Sequence, residues 1–311
     1  MECACVRHTD LPNTTRLFAD FAYHPERLRD FYPLLPHQPG AFAQAARAVR
    51  FPAEQRAALV AALRALNGDL PALDLLAREG TVAVVTGQQV GLFSGPAYTV
   101  YKALTAARLA RRLSDEGIAA VPIFWVATED HDFQEVNHVW TLDAADRPRK
   151  LVIEDAAPAN QPVGEIVLGA LPDAREWLAG LPFADEIARL VNEAYRPGRT
   201  MGEAFGALLS SLLSDFGLLR IDPMRPEIRA LAAPVISQAL AAAADLTEDL
   251  LARNRELEAA GYHAQVHVEP HTSLVFLLEN GRRLALRRHN STYRANGRVI
   301  AAAELMERAH E

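Results

Sequence analysis

Basic charge is scarce in this chain. Of 311 residues, 32 are Lys or Arg and 39 are Asp or Glu, for a formal net charge of −7. A chain-wide attraction to nucleic acid, which rests on basic patches that neutralise phosphates, is therefore not expected. Cysteine is scarcer still. The two present, Cys3 and Cys5, lie in an N-terminal stretch expected to fray; they are too few for a disulfide framework and have no zinc-ligand partners nearby. No apolar run approaches the length of a membrane span. The opening MECACVRHTD places acidic and polar residues where a signal peptide needs an apolar core. The expectation is a cytoplasmic chain with neither nucleic acid nor membrane as partner. What the chain has in quantity is apolar residues, 50 % of the total, enough for one large or two modest domains.

No internal repeat or low-complexity segment stands out. HPERLRDFYPLL and AFAQAARAV carry apolar residues at helical spacing, and PAEQRAALVAALRALNGDL starts with Pro52 at a helix-start position and meets a stop at Asn67-Gly68. TVAVVTG is a short β-branched run that reads as a buried parallel strand. TGQQVGLFSGP, Thr86 to Pro96, reads as a loop, and PAYTVYKALTAARLARRLSDEG as an amphipathic helix ending at Gly117. IAAVPIFWVA is the next buried strand. Strand, glycine loop, helix and strand make a right-handed βαβ unit. Beyond Asp132, NHVWTLD, RKLVIED and VGEIVL read as short strands. ALPDAREWLAGL, ADEIARLVNEAY and MGEAFGALLSSLLSDFG read as helices, and LLRIDP as a further strand. PEIRALAAPVISQALAAAADLTEDLLARNRELEAAG is a long helical stretch, expected to kink at Pro234. The tail alternates like hairpins, with Asn280-Gly281 a turn, and closes in the helix AAELMERAHE. The expected units are 1–142, N-terminal helices plus core; 143–224, a connecting insertion; 225–260, the long helical segment; and 261–311, the hairpins.

In an open α/β sheet, ligands sit beyond the carboxyl ends of the strands. The glycine loop lies there. A helix N-terminus suits a carboxylate or phosphate, Gly87, Gly91 and Gly95 allow close backbone approach, and Gln88 and Gln89 offer donors and acceptors. Tyr98 and Lys102, four apart, share a helix face. The competing reading is a structural glycine turn with solvated glutamines; neither a P-loop nor a dinucleotide fingerprint is present. At the end of the second strand, TEDHDFQEVNHV places Glu129, Asp130, His131 and Asp132 together. Crowded carboxylates raise one another's pKa or hold a cation, and an imidazole there can move protons. Asn137 and His138 follow within two helical turns. The structural alternative is that Thr128 or Asp130 caps a helix. No second ligand set supports a metal. In HVEPH, Pro270 and the alternation of AQVHV point to a strand end rather than a metal pair at His267 and His271. Arg282, Arg283, Arg287 and Arg288 read as solvated strand edges, with anion contact the alternative.

AVVTGQQVGLFSGPAYTVYKALTAARLARRL, followed by VPIFWVATEDHDFQEVNHV, closely resembles the bacillithiol biosynthesis cysteine-adding enzyme family. RAALVAALRALNGDL, GLLRIDPMRPEIRALA and GYHAQV extend the resemblance over most of the chain. It implies a Rossmann-like α/β core of the nucleotidylyltransferase type, with a parallel sheet, helical and small β insertions, and a long helical coiled coil that supports a homodimer. It implies a ligase that joins L-cysteine to the amine of glucosaminyl malate in the last step of bacillithiol synthesis, through an activated cysteine carboxylate, with ATP and magnesium the expected source. Carried over residue by residue, Thr86, Gly87, Gln88, Gln89 and Gly91 line the substrate pocket with Tyr98 and Lys102. Asn137 and His138 are placed with the substrate-binding set. Glu129, Asp130, His131 and Asp132 position the attacking amine, and one of them takes its proton.

Members of the family are much longer, and TSLVFLLENGRR departs from their pattern. The chain therefore reads as an N-terminal portion lacking a C-terminal half. The alternative function is a non-catalytic fragment that binds the malyl sugar or needs a partner polypeptide. A third reading is another nucleotidylyltransferase-like enzyme on the same core.

Overall fold

A computed structural model describes residues 5–143, 145–153 and 160–309. Cys3, the end of the RKLVIED stretch and the last two residues of AAELMERAHE lie outside the described residues.

The N-terminal helices are α1 (Arg16–Tyr23), α2 (Ala41–Ala48), α3 (Ala53–Asn67) and α4 (Pro71–Ala77). HPERLRDFYPLL holds only a 3-10 turn at Pro25–Leu28. α3 begins directly after Pro52 and stops at Asn67, with Gly68 at φ 71°. Then come β1 (Val82–Gln89), α5 (Tyr98–Asp115) and β2 (Ala120–Ala127), the expected βαβ unit. Between β2 and the third core strand lie α6 (Phe133–Val136), the hairpin β3 (His138–Leu142) with β4 (Pro148–Val152), and α7 (Ala174–Leu178), α8 (Ala184–Ala194) and α9 (Met201–Leu212). β5 (Leu219–Ile221) returns to the sheet, whose order is β1-β2-β5, all parallel. β5, within the expected connecting stretch, is thus part of the core.

The central strand β2 is apolar on both faces, as a covered parallel strand must be. Val121 and Ile123 pack with Val60 and Leu63 of α3 and Leu73 and Leu76 of α4. Phe124 and Val126 join Ala103 of α5 and Phe205 of α9 on the other face. The outer edge of β5 is closed by a side chain. The Asn67 amide accepts from Arg220 N–H at 2.8 Å and donates to Arg220 C=O at 2.9 Å. Among the described residues no strand pairs with the outer edge of β1, and Val85 on it is 58 % exposed.

VGEIVL is not a strand. Val163–Glu165 form a 3-10 turn, and Val167 makes a single bridge to Thr200. The segment folds back on the end of β2, where Val163 N–H donates to Asp130 C=O at 2.6 Å and Gly164 N–H to Thr128 C=O at 3.0 Å. Gly164 is pressed so closely on Thr128 that a Cβ there would overlap it.

The long helical stretch is two helices, α10 (Pro226–Ala241) and α11 (Ala243–Ala259), bent by 77° at Ala242. Pro234 is accommodated inside α10. Along the pair, Ile228 packs on the sheet, Leu240 and Ala243 on either side of the bend pack on the hairpin core, and Leu257 packs on Leu17, Leu28 and Tyr262. No single described helix is long and apolar enough to cross a membrane. AQVHV forms no strand; the sheet of the tail starts at Thr272. It runs β6 (Thr272–Glu279), β7 (Arg282–His289), β8 (Thr292–Ala295) and β9 (Arg298–Ala301) in antiparallel order, followed by α12 (Ala302–Arg308). Asn280 and Gly281 both have positive φ, 52° and 67°, as a tight hairpin turn requires.

Candidate functional site

The site is built at the carboxyl ends of β1 and β2. β1 does not stop at Thr86. It stays in register with β2 as far as Gln89, opposite Ala127, so Thr86, Gly87, Gln88 and Gln89 are strand residues and the connection starts at Val90. Gly87 serves strand packing: a Cβ there would stand 2.7 Å from the Trp125 carbonyl oxygen. Gly91 and Gly95 close the connection on itself, since a Cβ on Gly91 would lie 2.8 Å from Gly95 Cα. Between them Phe93 and Ser94 hold φ of 51° and 70°, a left-handed conformation that costs non-glycine residues energy and persists only when the surroundings enforce it.

Tyr195 is what enforces it. Its hydroxyl accepts from Ser94 N–H and donates to Gly91 C=O, both at 3.0 Å, and its ring meets Phe93 edge-on at 5.1 Å. Burial drives the phenol far above its ordinary pKa, so it remains a donor.

The loop, the first turn of α5 and β3 enclose a cleft of about 410 Å³, lined by Gln88, Gln89, Tyr98, Glu135, His138 and Trp140 among others. No side chain caps the start of α5, and Pro96, Ala97 and Tyr98 at that start line the cleft. Lys102 Nζ donates to Gln88 Oε1 at 2.9 Å and lies 5.8 Å from the Tyr98 ring centroid. The shared helix face is real, but Lys102 reaches the cleft through Gln88. Gly91 lines the cleft; Thr86 and Gly87 do not.

The four residues of the Glu-Asp-His-Asp run take four different positions. Gln89 Nε2 donates to Asp130 Oδ2 at 2.7 Å and to Glu135 Oε2 at 2.9 Å. Asp130 Oδ1 accepts His131 N–H at 2.7 Å. Burial works against its charge, but Gln89, the backbone N–H groups of His131 and Asp132, and Arg283 together hold its pKa below the ordinary value. Glu129 behaves oppositely. Burial raises its pKa despite a 3.3 Å hydrogen bond from the Trp125 indole and the attraction of Arg283, and its Oε2 is buried without a hydrogen-bond partner. Asp132 caps α6 by accepting Glu135 N–H at 3.2 Å; neither Thr128 nor Asp130 does so. Asn137 is buried and fastens α6 to the β4 side, donating to Ile153 C=O at 3.3 Å, while its Oδ1 lies 3.2 Å from His138 Nδ1. Among the described residues no group of three or more His, Cys, Asp and Glu is placed to hold a metal ion.

One residue that the sequence reading left at a solvated edge belongs here. Arg283 of β7 places Nη1 3.8 Å from Asp130 Oδ1 and 3.5 Å from His131 Nδ1. Its guanidinium stacks on Phe276 with 3.9 Å to the ring centroid. The Asn280-Gly281 turn fixes the hairpin register that sets Phe276 near Arg283; nothing local signals the reach to Asp130, 153 positions earlier.

Comparison with known proteins bears on this arrangement. The family model described as "Bacillithiol biosynthesis BshC, N-terminal Rossmann-like domain" matches residues 1–311. Three similar proteins carry the name "Putative cysteine ligase BshC". That of Solibacter usitatus is 58 % identical over 311 residues, 99 % of this chain and 59 % of the relative. That of Koribacter versatilis is 35 % identical over 98 % of this chain and 58 % of the relative. That of Salinibacter ruber is 32 % identical over 95 % and 56 % respectively. The chain thus spans somewhat more than half the length of these relatives. With a Rossmann-type parallel sheet whose strand ends carry the Gln-Gln and Glu-Asp-His-Asp segments, the chain belongs to the bacillithiol biosynthesis BshC family, through its N-terminal Rossmann-like domain.

Proposed function

We propose that the chain is a cytoplasmic cysteine ligase that forms the amide bond between the carboxylate of L-cysteine and the amine of glucosaminyl malate. The names of its relatives support the ligase class, and the glycine-loop cleft supports the sugar substrate. A volume of about 410 Å³ suits a small molecule. The Gln89 carboxamide oxygen, the Gln88 carboxamide, the Tyr98 phenol and His138 suit hydroxyl groups, and the uncapped start of α5 suits a carboxylate.

The observation that carries the reading is the contrast at the end of β2 between Asp130, held ionised by Gln89 and Arg283, and the buried Glu129 beside it. An amine attacks only when neutral, so a proton acceptor has to stand near it. Asp130, held ionised at low pKa, is a weak base and acts as the acceptor that fixes Gln89. Glu129, with its raised pKa, is the better proton acceptor near neutral pH. Amide formation from a free carboxylate also needs that carboxylate activated. ATP is the expected source, yet the glycine-loop cleft does not match a triphosphate. Among the described residues no Lys or Arg lines it, and Glu135 presents a carboxylate to it.

The test is calorimetric titration of glucosaminyl malate into the wild-type chain and Gln88→Ala. Saturable binding that weakens in the variant supports the assignment; absence of binding to the folded wild type overturns it.

A further inference from the structure

A second cavity, of about 580 Å³, opens beside Thr128 at the carboxyl ends of β2 and β5 and shares no lining residue with the glycine-loop cleft. Its size falls in the usual range for small-molecule sites, about 300–1,000 Å³. Three arginines, Arg199, Arg220 and Arg225, line it.

Its wall also carries the carboxylates of Glu165, Glu203 and Asp222, and the last two are engaged by neighbouring groups. Asp222 accepts from the Thr128 hydroxyl and from Met224 N–H at 2.9 Å. Glu203 accepts Thr200 N–H at 3.0 Å in the capping box of α9. The arginines are less well satisfied. Arg220 donates to Leu66 C=O at 3.2 Å, but its Nε is buried without a partner, and it forms no ion pair among the described residues. Arg225 Nε is also buried without a hydrogen bond, although Glu227 Oε2 lies 3.5 Å away. Gly206 of α9 leaves the space that the Arg220 guanidinium fills, since a Cβ there would overlap it. Burial disfavours the charge of Arg220, with Asp222 working the other way. A buried cation lacking its anion is costly.

The start of α10 also lines the cavity through Arg225 and Pro226, and no side chain caps it. The Arg220 Nε–H without a hydrogen-bond partner, the Arg225 guanidinium and the uncapped start of a 16-residue helix gather donors and positive charge at one cavity. They match the acceptor oxygens of a phosphate.

We propose that this cavity binds the phosphate group of a small phosphorylated ligand, with Arg220 and Arg225 as its cationic contacts. The inference does not depend on the ligase reading, because it concerns a separate cavity and needs no turnover.

Inorganic pyrophosphate is the probe, titrated by calorimetry into the full 311-residue chain, with L-malate as a carboxylate arm. Saturable pyrophosphate binding is expected, weakened at least about tenfold in Arg220→Gln and Arg225→Gln. Arg112→Gln, which removes an exposed arginine paired with Glu116, is expected to stay within about twofold of wild type. Should Arg220→Gln fail to unfold cooperatively, Arg225→Gln alone decides. No saturable binding to the folded wild type, or unchanged affinity in Arg225→Gln, overturns the proposal. Arginine-dependent binding of malate without binding of pyrophosphate also overturns it, in favour of a carboxylate site.

Discussion

Gln89, the last residue of β1, gives one amide nitrogen to two carboxylates, Asp130 Oδ2 at 2.7 Å and Glu135 Oε2 at 2.9 Å. That nitrogen has two hydrogens, so both bonds are satisfied at once. Gln89→Glu would set a third carboxylate against the other two. Expected is a fall in ligase kcat/KM of roughly 30-fold or more, the equivalent of about 2 kcal/mol for a lost charge-assisted bond. The melting temperature of the variant should also lie below wild type at pH 7 and approach it at about pH 2–3, below the ordinary carboxylate pKa values. An equal deficit at neutral and at that acid pH would show that repulsion is not the cause.

Removing the guanidinium over Asp130 should register in acid. The pKa of Asp130 is depressed in the folded state, so its contribution to stability is present above the unfolded value and is lost as pH falls through the folded one. Arg283→Gln lets the folded pKa rise toward 3.8, the ordinary value. The acid limb of the stability curve should then become shallower than in wild type. An unchanged limb in thermal melts between pH 2 and 6 would mean that Arg283 exerts no field on Asp130.

Glu129 has the opposite sign. Its folded pKa is raised above 4.5, so its ionised form costs stability that is avoided at low pH and incurred as pH rises through the folded value. Glu129→Gln should therefore melt higher than wild type at pH 7 to 8, with the gain vanishing below pH about 4. The same variant should lose ligase turnover at every pH if Glu129 takes the proton from the amine. A variant that retains wild-type turnover would remove that role.

Tyr195→Phe deletes two hydrogen bonds that hold Gly91 and Ser94 in place. Urea unfolding should report a loss of about 1–3 kcal/mol. Because the glycine-loop cleft includes Gly91, the apparent KM for glucosaminyl malate should rise more than kcat falls. A stability loss with unchanged KM would separate the loop brace from the binding site.

Much of this was legible in the chain. The β-branched run ending at Val85, the helical period after Pro96 and the second apolar run specify the βαβ unit, and the strand-end rule brings Gln88, Gln89, Tyr98 and His138 to one cleft. The extent of β1 was not legible, because glutamine is a poor strand former and the partner strand decides where pairing stops. Several capping oxygens lie close together at the end of β2, and backbone conformation, not residue type, selects Asp132. The bend at Ala242 lies in a run of alanines without punctuation, and it lets Leu240 and Ala243 on either side of it both pack on the hairpin core, while Pro234 fits inside α10. Arg283 reaches Asp130 only because a distant hairpin docks on the strand ends, a contact that no local pattern encodes.

The most direct measurement is a mass-resolved product assay. The chain is incubated with L-cysteine, glucosaminyl malate, ATP and magnesium, beside Gln89→Glu and Glu129→Gln. Cysteine ligation by this domain predicts the coupled thiol from the wild type and a marked loss in both variants. A folded wild-type chain that yields no coupled product would contradict it.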